Sequence, residues 1–442
     1  MSKAIFDHFE GPGQRPANFP YGLTIGQGAA SNVNQIGIPG QMGFGVGICP
    51  GPLPAGMGAM FGTTDSASDN YGNYQCADGS VMVWMPAFYY KYGTGANGLA
   101  VNAVAIKPFS EYADVATANA AGYALHRAFY DGGVQPGVFV DKYLCSNNGG
   151  VASSLKLGNP LSSAADRNPF AGLTGAPTNA YHGAIVAAKT RGAAFFCCPQ
   201  HIRGALALLA LAHAQASSST TWCAWYHATN NFPKGCNNNA LGDAQDATLT
   251  FVSDGYSNCA KTGSANLFAR TAHNGQNSGV VDLNGTMWEI SPGLATDDGG
   301  AKYYALKTSV RMKDVTSGTA LATDLWGAAG IAALYDELGA TYGALTASSS
   351  GKTFGNAAQV LSEAVSGLPW QATGLGIPLV GGVGGTNAFG NDILYDYRPA
   401  SMCPISGGTW NTSSTAGVWT LYCNNARAAS TNTVGFRAAL FL

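Results

Sequence analysis

The sequence predicts an α+β protein, with aromatic strands early, helices in the middle, and short strands separated by long loops towards the C-terminus. Three observations lead there. Val81-Met82-Val83-Trp84-Met85-Pro86, Ala87-Phe88-Tyr89-Tyr90-Lys91-Tyr92 and Val138-Phe139-Val140-Asp141-Lys142-Tyr143-Leu144 are β-branched and aromatic runs, which suit a pleated, half-buried surface. After Pro199, the residues Ile202, Leu206, Leu209 and His213 fall at i, i+4, i+7 and i+11, along one face of a 3.6-residue period. Helices and strands do not alternate, so the crossovers of a parallel sheet are not expected.

The remaining elements follow in chain order. Residues 1–79 are rich in Gly, Pro and Asn with little periodicity, and read as an irregular attachment module. A helix is expected from Ser110 to Phe129, with Ser110 as its cap and Gly132-Gly133 as its stop. Pro199 suits a first helical turn, where its missing N–H costs nothing. A shorter helix is expected over Leu325–Leu338, and Gly374–Gly390 reads as a glycine-rich loop.

Composition narrows the function. The 442 residues carry 22 Lys+Arg against 24 Asp+Glu, a net charge of −2, and only 10% charged side chains. That balance leaves no electrostatic footprint for nucleic acid or an anionic membrane. The most apolar stretch, Gly37–Phe61, is interrupted by Pro39, Pro50, Pro52 and Pro54, which argues against membrane insertion. No basic-then-apolar secretory signal is visible at Met1-Ser2-Lys3. Ten cysteines form no C-x-x-C pattern and are expected as buried free thiols; a Cys403–Cys423 bridge is the alternative.

Motifs that might carry chemistry fail on their spacing. Ser350-Gly351-Lys352-Thr353 resembles the end of a phosphate loop, but Thr346 stands where the loop needs its first glycine. His213 lies on the apolar helix face and reads as a core histidine. Asp282-Leu283-Asn284-Gly285-Thr286-Met287-Trp288-Glu289-Ile290 reads as a tight turn on Asn284 and Gly285 followed by a strand. Trp288 should fill a core, and Glu289 should need a buried partner.

The last forty residues differ from the rest. Asn, Ser, Thr, Ala and Gly dominate, Trp410, Trp419, Tyr422 and Phe436 punctuate them, and from Pro399 onward only Arg427 and Arg437 are charged. Disordered tails are charged and poor in aromatics. Rigid aromatics among short polar side chains are the mixture that binding paratopes use.

These residues carry a resemblance. Asn284-Gly285-Thr286-Met287-Trp288-Glu289, Val140-Asp141-Lys142-Tyr143, the helix after Pro199 and the closing Gly435-Phe436-Arg437 resemble the formylglycine-generating-enzyme-like branch of the C-type lectin fold. The oxidases of that branch use a close cysteine pair, whereas Cys403 and Cys423 lie 20 positions apart; iron-dependent relatives need clustered histidines, and none follows His273. Residues 407–437 resemble instead the variable region of phage receptor-binding proteins diversified by retroelements. Their randomised AAY codons never encode Lys, Gln, Glu, Met or Trp, and none of these occurs from Thr420 to Leu442.

The resemblance implies a phage tail adhesin with two parts: an N-terminal virion-attachment and oligomerisation module over 1–79, and a C-type-lectin-like receptor-binding domain over 80–442. Thr409, Asn411, Thr412, Ser413, Ser414, Thr420, Tyr422, Asn424, Asn425, Ser430 and Asn432 are the expected receptor-binding residues. Asn284, Gly285, Trp288, Trp410, Trp419, Gly435, Phe436 and Arg437 are the expected structural frame. No catalytic residue, cofactor or metal is expected; Asp297 and Asp298 are the positions where a structural Ca²⁺ would sit if there is one. Expected partners are a host-cell surface receptor, protein or glycan, other phage tail proteins, and two further copies in a homotrimer. The expected location is the virion, after assembly in the host cytoplasm. The alternatives are an oxidase of the formylglycine-generating type and a bacterial lectin-like adhesin outside any phage.

Overall fold

Two six-stranded sheets share the last nine residues of the chain. The structure, a computed structural model, describes residues 33–177, 180–220, 223–225, 234–296, 302–315, 331–338, 350–354, 359–379, 389–390, 392–397 and 401–442. The first sheet is antiparallel throughout. It runs in the order Met57–Ala59, Asn73–Cys76, Val81–Pro86, Gly137–Asp141, Ala438–Leu440 and Phe196–Cys197. The second is mixed, in the order Ser350–Thr353, Ile393–Asp396, Leu421–Ala426, Met402–Ser406, Trp288–Ile290 and Val434–Gly435. Val434–Gly435 therefore ends the second sheet, and after Phe436 and Arg437 the chain enters the first between Gly137–Asp141 and Phe196–Cys197. Mixed sheets with few helices make this an α+β fold, as the strand and helix order predicted.

The aromatic runs form strands where expected, at Val81–Pro86, Phe88–Tyr92 and Gly137–Asp141. The long helix spans Gln200–Ala216 behind Pro199, and every residue from Gln200 to His213 is buried. A helix buried on all sides needs small or apolar residues all round, and the Gly-Ala-Leu-Ala-Leu-Leu-Ala-Leu-Ala run from Gly204 supplies them. Gly204 makes the closest approach. A Cβ there would stand 2.2 Å from the carbonyl oxygen of Gly374, which ends the helix Gly367–Gly374. His213 is a core residue: it stacks on Phe44 at 4.9 Å and accepts the Gly40 N–H at Nδ1.

Four expectations need correction. The helix over Ser110–Phe129 shrinks to Val115–Ala120, capped by the Asp114 side chain, which accepts the Thr117 N–H at 2.7 Å. Beyond it Gly122 turns at φ +78°, and Ala124–Leu125 pairs with Tyr89–Tyr90; sheet pairing outweighs helix propensity there. In the expected helix over Leu325–Leu338, the described residues hold a 3₁₀ turn at Ile331–Leu334 and a strand at Tyr335–Glu337. The expected boundary at Gly79/Ser80 falls inside the hairpin that joins Asn73–Cys76 to Val81–Pro86, and both Met57–Ala59 and Asn73–Cys76 are strands of the first sheet. Asp282, Gly285 and Thr286 carry the positive φ values of the Asn-Gly segment, and Asn284 does not.

A buried ion cluster joins the two sheets to the long helix. Arg437 donates to Glu289 from Nε (2.5 Å) and Nη2 (2.9 Å), while Arg203 of the helix donates to Glu289 Oε1 at 2.6 Å. Further guanidinium hydrogens go to carbonyls: Arg437 to Asp141 and Val281, and Arg203 to Leu283. Burial lowers the Arg203 guanidinium and Glu289 raises it. Removing one partner of such a cluster leaves uncompensated buried charge and typically costs about 3–5 kcal/mol. Glu289→Gln and Arg437→Ala should each lose stability on that scale in urea unfolding. A loss below about 1 kcal/mol would mean that the cluster does not hold the sheets together.

Buried histidines make the fold acid-sensitive. His273 accepts the Val280 N–H at Nδ1 (3.0 Å) and so donates from Nε2 to the Gly45 carbonyl at 2.9 Å. Burial pushes it down to about 4 and His126 down to about 3. Both groups bind a proton more readily in the unfolded chain, so their contribution is complete above about pH 6.5 and is lost as the pH falls towards 4. Asp243 and Asp282, pushed up to about 6 by burial, act in the opposite direction between pH 6 and 4. His273→Asn should therefore lose less stability than the parent between pH 7 and pH 4.5. Parallel pH profiles for the two proteins would contradict this assignment.

Candidate functional site: a polar rim on a buried frame

The Asn284-Gly285 turn is the inner support of the C-terminal loops. Gly285 sits at φ +67°, and a Cβ there would lie 2.3 Å from the Cys236 carbonyl oxygen. Thr286 N–H donates to that same oxygen at 2.6 Å, and Gly285 N–H donates to the Gly407 carbonyl at 3.3 Å. One turn therefore holds both the Lys234–Asn237 segment and the start of the C-terminal loops. Asn284 itself is fully buried. Trp288 begins the strand beside it, pairs with Val434, and lies 4.4 Å from the Tyr422 ring.

A single guanidinium gathers three loops. Arg167 lies 4.7 Å from the ring centres of both Trp410 and Tyr256, between residue types that favour a cation over their faces. It pairs with Asp254 at 2.5 Å and also donates to the Asn432 carbonyl. Asn432 in turn donates from Nδ2 to the Tyr256 hydroxyl at 2.6 Å. The loops around Trp410, Tyr256 and Asn432 thus close on one buried charge. Trp419 is held differently. Its backbone N–H donates to Asp392 at 2.8 Å, and Asp392 pairs with Lys234 at 2.5 Å, both side chains fully buried. Phe389 and Phe354 pack on the Trp419 ring.

Trp288, Trp410, Trp419, Gly435, Phe436 and Arg437 are all buried. Of the expected contact residues, Asn411, Ser413, Ser414, Asn424 and Ser430 are exposed, and Thr412, Tyr422, Asn425 and Asn432 are half-buried. Thr409 and Thr420 are corrections. Both are 1% exposed; Thr409 donates to the Thr286 carbonyl and Thr420 to the Thr415 carbonyl, so they belong to the frame. Tyr422 lies between the groups: its hydroxyl bonds Thr415, and its ring stacks on Tyr395 at 5.0 Å.

The sequence reading missed one part of the rim. Asn238 and Asn239 are exposed and donate their N–H groups to the carbonyls of Thr412 and Trp410, both at 2.8 Å. Asn237 Nδ2 reaches the Ser413 carbonyl, and Asn258 Nδ2 the Asn239 carbonyl. Asn238 and Asn239 have positive φ, at 60° and 52°. The signal was the Cys236-Asn237-Asn238-Asn239 run, an asparagine cluster of the kind that tolerates the left-handed region.

This rim offers neutral amides and hydroxyls over a buried aromatic base. All ten cysteines are buried and outside any disulfide; burial pushes Cys403, Cys198 and Cys259 each up to about 12, far from the thiolate that redox chemistry needs. Among the described residues no three His, Cys, Asp or Glu side chains stand together as metal ligands, and Asp297 and Asp298 lie outside those residues. No helix of the described residues is long and apolar enough to cross a membrane.

No family model and no curated protein matches the chain. Among solved structures, the Major Tropism Determinant U1 variant aligns at 12% identity and a TM-score of 0.28, covering 86% of this chain and 69% of its own. The P3c variant aligns at the same identity and TM-score, covering 85% and 68%.

Arg167 and Trp410 make the frame testable apart from the rim. Trp410→Ala should cost about 3–5 kcal/mol, the usual penalty for truncating a buried tryptophan. Asn411→Ala should stay within about 0.5 kcal/mol of the parent. Equal costs in thermal unfolding would erase the distinction between frame and rim.

Proposed function

We propose that the protein is a phage tail adhesin whose C-terminal rim binds a receptor on the host-cell surface. One observation carries this reading: exposed Asn411, Ser413 and Ser414 stand on a loop, and exposed Asn424 on the strand that follows it, while the aromatic residues Trp410 and Trp419 are buried and pinned by buried charge. Side chains on such loops can change without unfolding what supports them, as a diversified binding face requires. The Asn-Gly-x-x-Trp-Glu and Gly-Phe-Arg motifs support a lectin-like frame, with the receptor a protein or a glycan. The high-lying, buried thiols weigh against the oxidase alternative.

Small polar contacts give modest affinity per site, so several copies per particle would raise avidity. We therefore assign the adhesin to the virion as a homotrimer, joined to other tail proteins through its N-terminal part. In the trimer the rims face outward. Light scattering on the purified 45.3 kDa chain should report about three times that mass.

Adhesion to a panel of bacterial strains tests the rim directly. Replacing Asn411, Ser413 and Ser414 together by Lys should weaken binding to the recognised strain about ten-fold or more, a loss of at least about 1.4 kcal/mol, with folding stability nearly unchanged. Unchanged adhesion by a well-folded triple variant would refute the assignment of receptor contact to this rim.

A further inference from the structure

A second site lies apart from the rim and shares no lining residue with it. A pocket of about 540 Å³ opens between the Asp69-Asn70 loop, the Lys142-Tyr143 step, the Leu155–Leu157 turn and Phe268. That volume is within the usual range for small-molecule sites. Lys142 stands at its inner end and is 4% exposed. Its ammonium donates to neutral oxygens, Asn73 Oδ1 at 2.6 Å and the Asp69 carbonyl at 3.4 Å. Among the described residues no carboxylate lies within ion-pair distance of it.

A buried ammonium without a counter-charge is costly, and an anionic ligand would supply what is missing. The exposed Lys156 adds a second cation at the mouth; the two amines lie 5.5 and 5.2 Å from the Phe268 ring centre. Asn70, Gln75 and Asn277 line the same pocket. Each uses its amide N–H₂ within the protein, on Phe61, Gly79 and Asp69 respectively. Their amide oxygens are the acceptors left to receive a ligand's hydroxyl groups. The Asp69 carboxylate at the rim of the pocket disfavours a dianion such as phosphate relative to a monoanion.

We propose that this pocket binds a carboxylate-bearing sugar, with the carboxylate on the Lys142 and Lys156 ammonium groups. The hydroxyls then reach Asn70, Gln75 and Asn277, and the apolar face of the ring lies against Phe268. The charge on Lys142 makes binding pH-dependent. Burial is the main cause that pushes it down to about 7; Lys156 lowers it further and Asp69 opposes, and these two are the charged groups that face it. Protonated Lys142 is the binding form, so affinity should fall as the pH rises through 7, and binding should take up a proton.

Titration calorimetry on the full chain with glucuronate, glucose, acetate and inorganic phosphate tests the proposal. Glucuronate should bind saturably at pH 6 and about ten-fold more weakly at pH 8, the change in the protonated fraction of a group near 7. Glucose, acetate and phosphate should each bind at least about ten-fold more weakly than glucuronate at pH 6. Lys142→Met should abolish the glucuronate signal. Lys156→Ala, at an exposed position, should weaken it several-fold. Glucose or phosphate binding as tightly as glucuronate, pH-independent affinity, indifference to both lysine variants, or no heat at pH 6 would each overturn it. Rim variants should leave this binding intact, so failure of the adhesin reading and failure of this site are separable.

Discussion

The carboxylate of Glu289, held between Arg203 and Arg437, is the constraint on which the architecture depends. Glu289 lies in the second sheet, Arg437 at the point where the chain leaves that sheet for the first, and Arg203 on the first turn of the buried helix. Three elements far apart in sequence therefore meet at one charge. Because burying a carboxylate alone is prohibitive, the cluster must assemble completely or not at all. This gives the Trp-Glu and Gly-Phe-Arg motifs a shared physical reason: each supplies half of one buried pair.

The same device recurs outward from that centre. Arg191 pairs with Asp141, Lys234 with Asp392 and Arg167 with Asp254, all with little or no exposure. A chain with only 10% charged residues thus spends several of its cations inside. The C-terminal rim is left to amides and hydroxyls, which donate and accept hydrogen bonds without strong preference. The arrangement also separates roles. Buried charge and aromatic rings set the positions of the loops, and small exposed side chains decide what those loops touch.

Lys142 stands outside this pattern. Arg203, Arg437, Arg191, Lys234 and Arg167 each have a carboxylate partner, whereas Lys142 has two neutral acceptors and an open pocket. A group that gains so little from its own fold is the place where a ligand of opposite charge changes most.

Much of the frame was legible in the sequence. The alternation after Asn284-Gly285 placed Trp288 and Glu289 on opposite sides of a strand, and period and composition located both the helix after Pro199 and the strands at Val81–Pro86 and Gly137–Asp141. These signals are local, because a strand or helix must carry its own hydrophobic period. The partners of Glu289 were not legible: Arg203 and Arg437 lie 86 and 148 positions away, and no local pattern marks a contact of that range. For the same reason Thr409 and Thr420 read as exposed, since a hydroxyl bonded to a buried carbonyl looks in sequence like one facing water. The helix expected over Ser110–Phe129 failed because Ala124–Leu125 finds a strand neighbour that its own residues do not announce. Local periodicity determined the elements and the polar character of the C-terminal loops. Long-range pairing of charge, carbonyl and ring, which only tertiary structure brings together, decided which side chains stand outside.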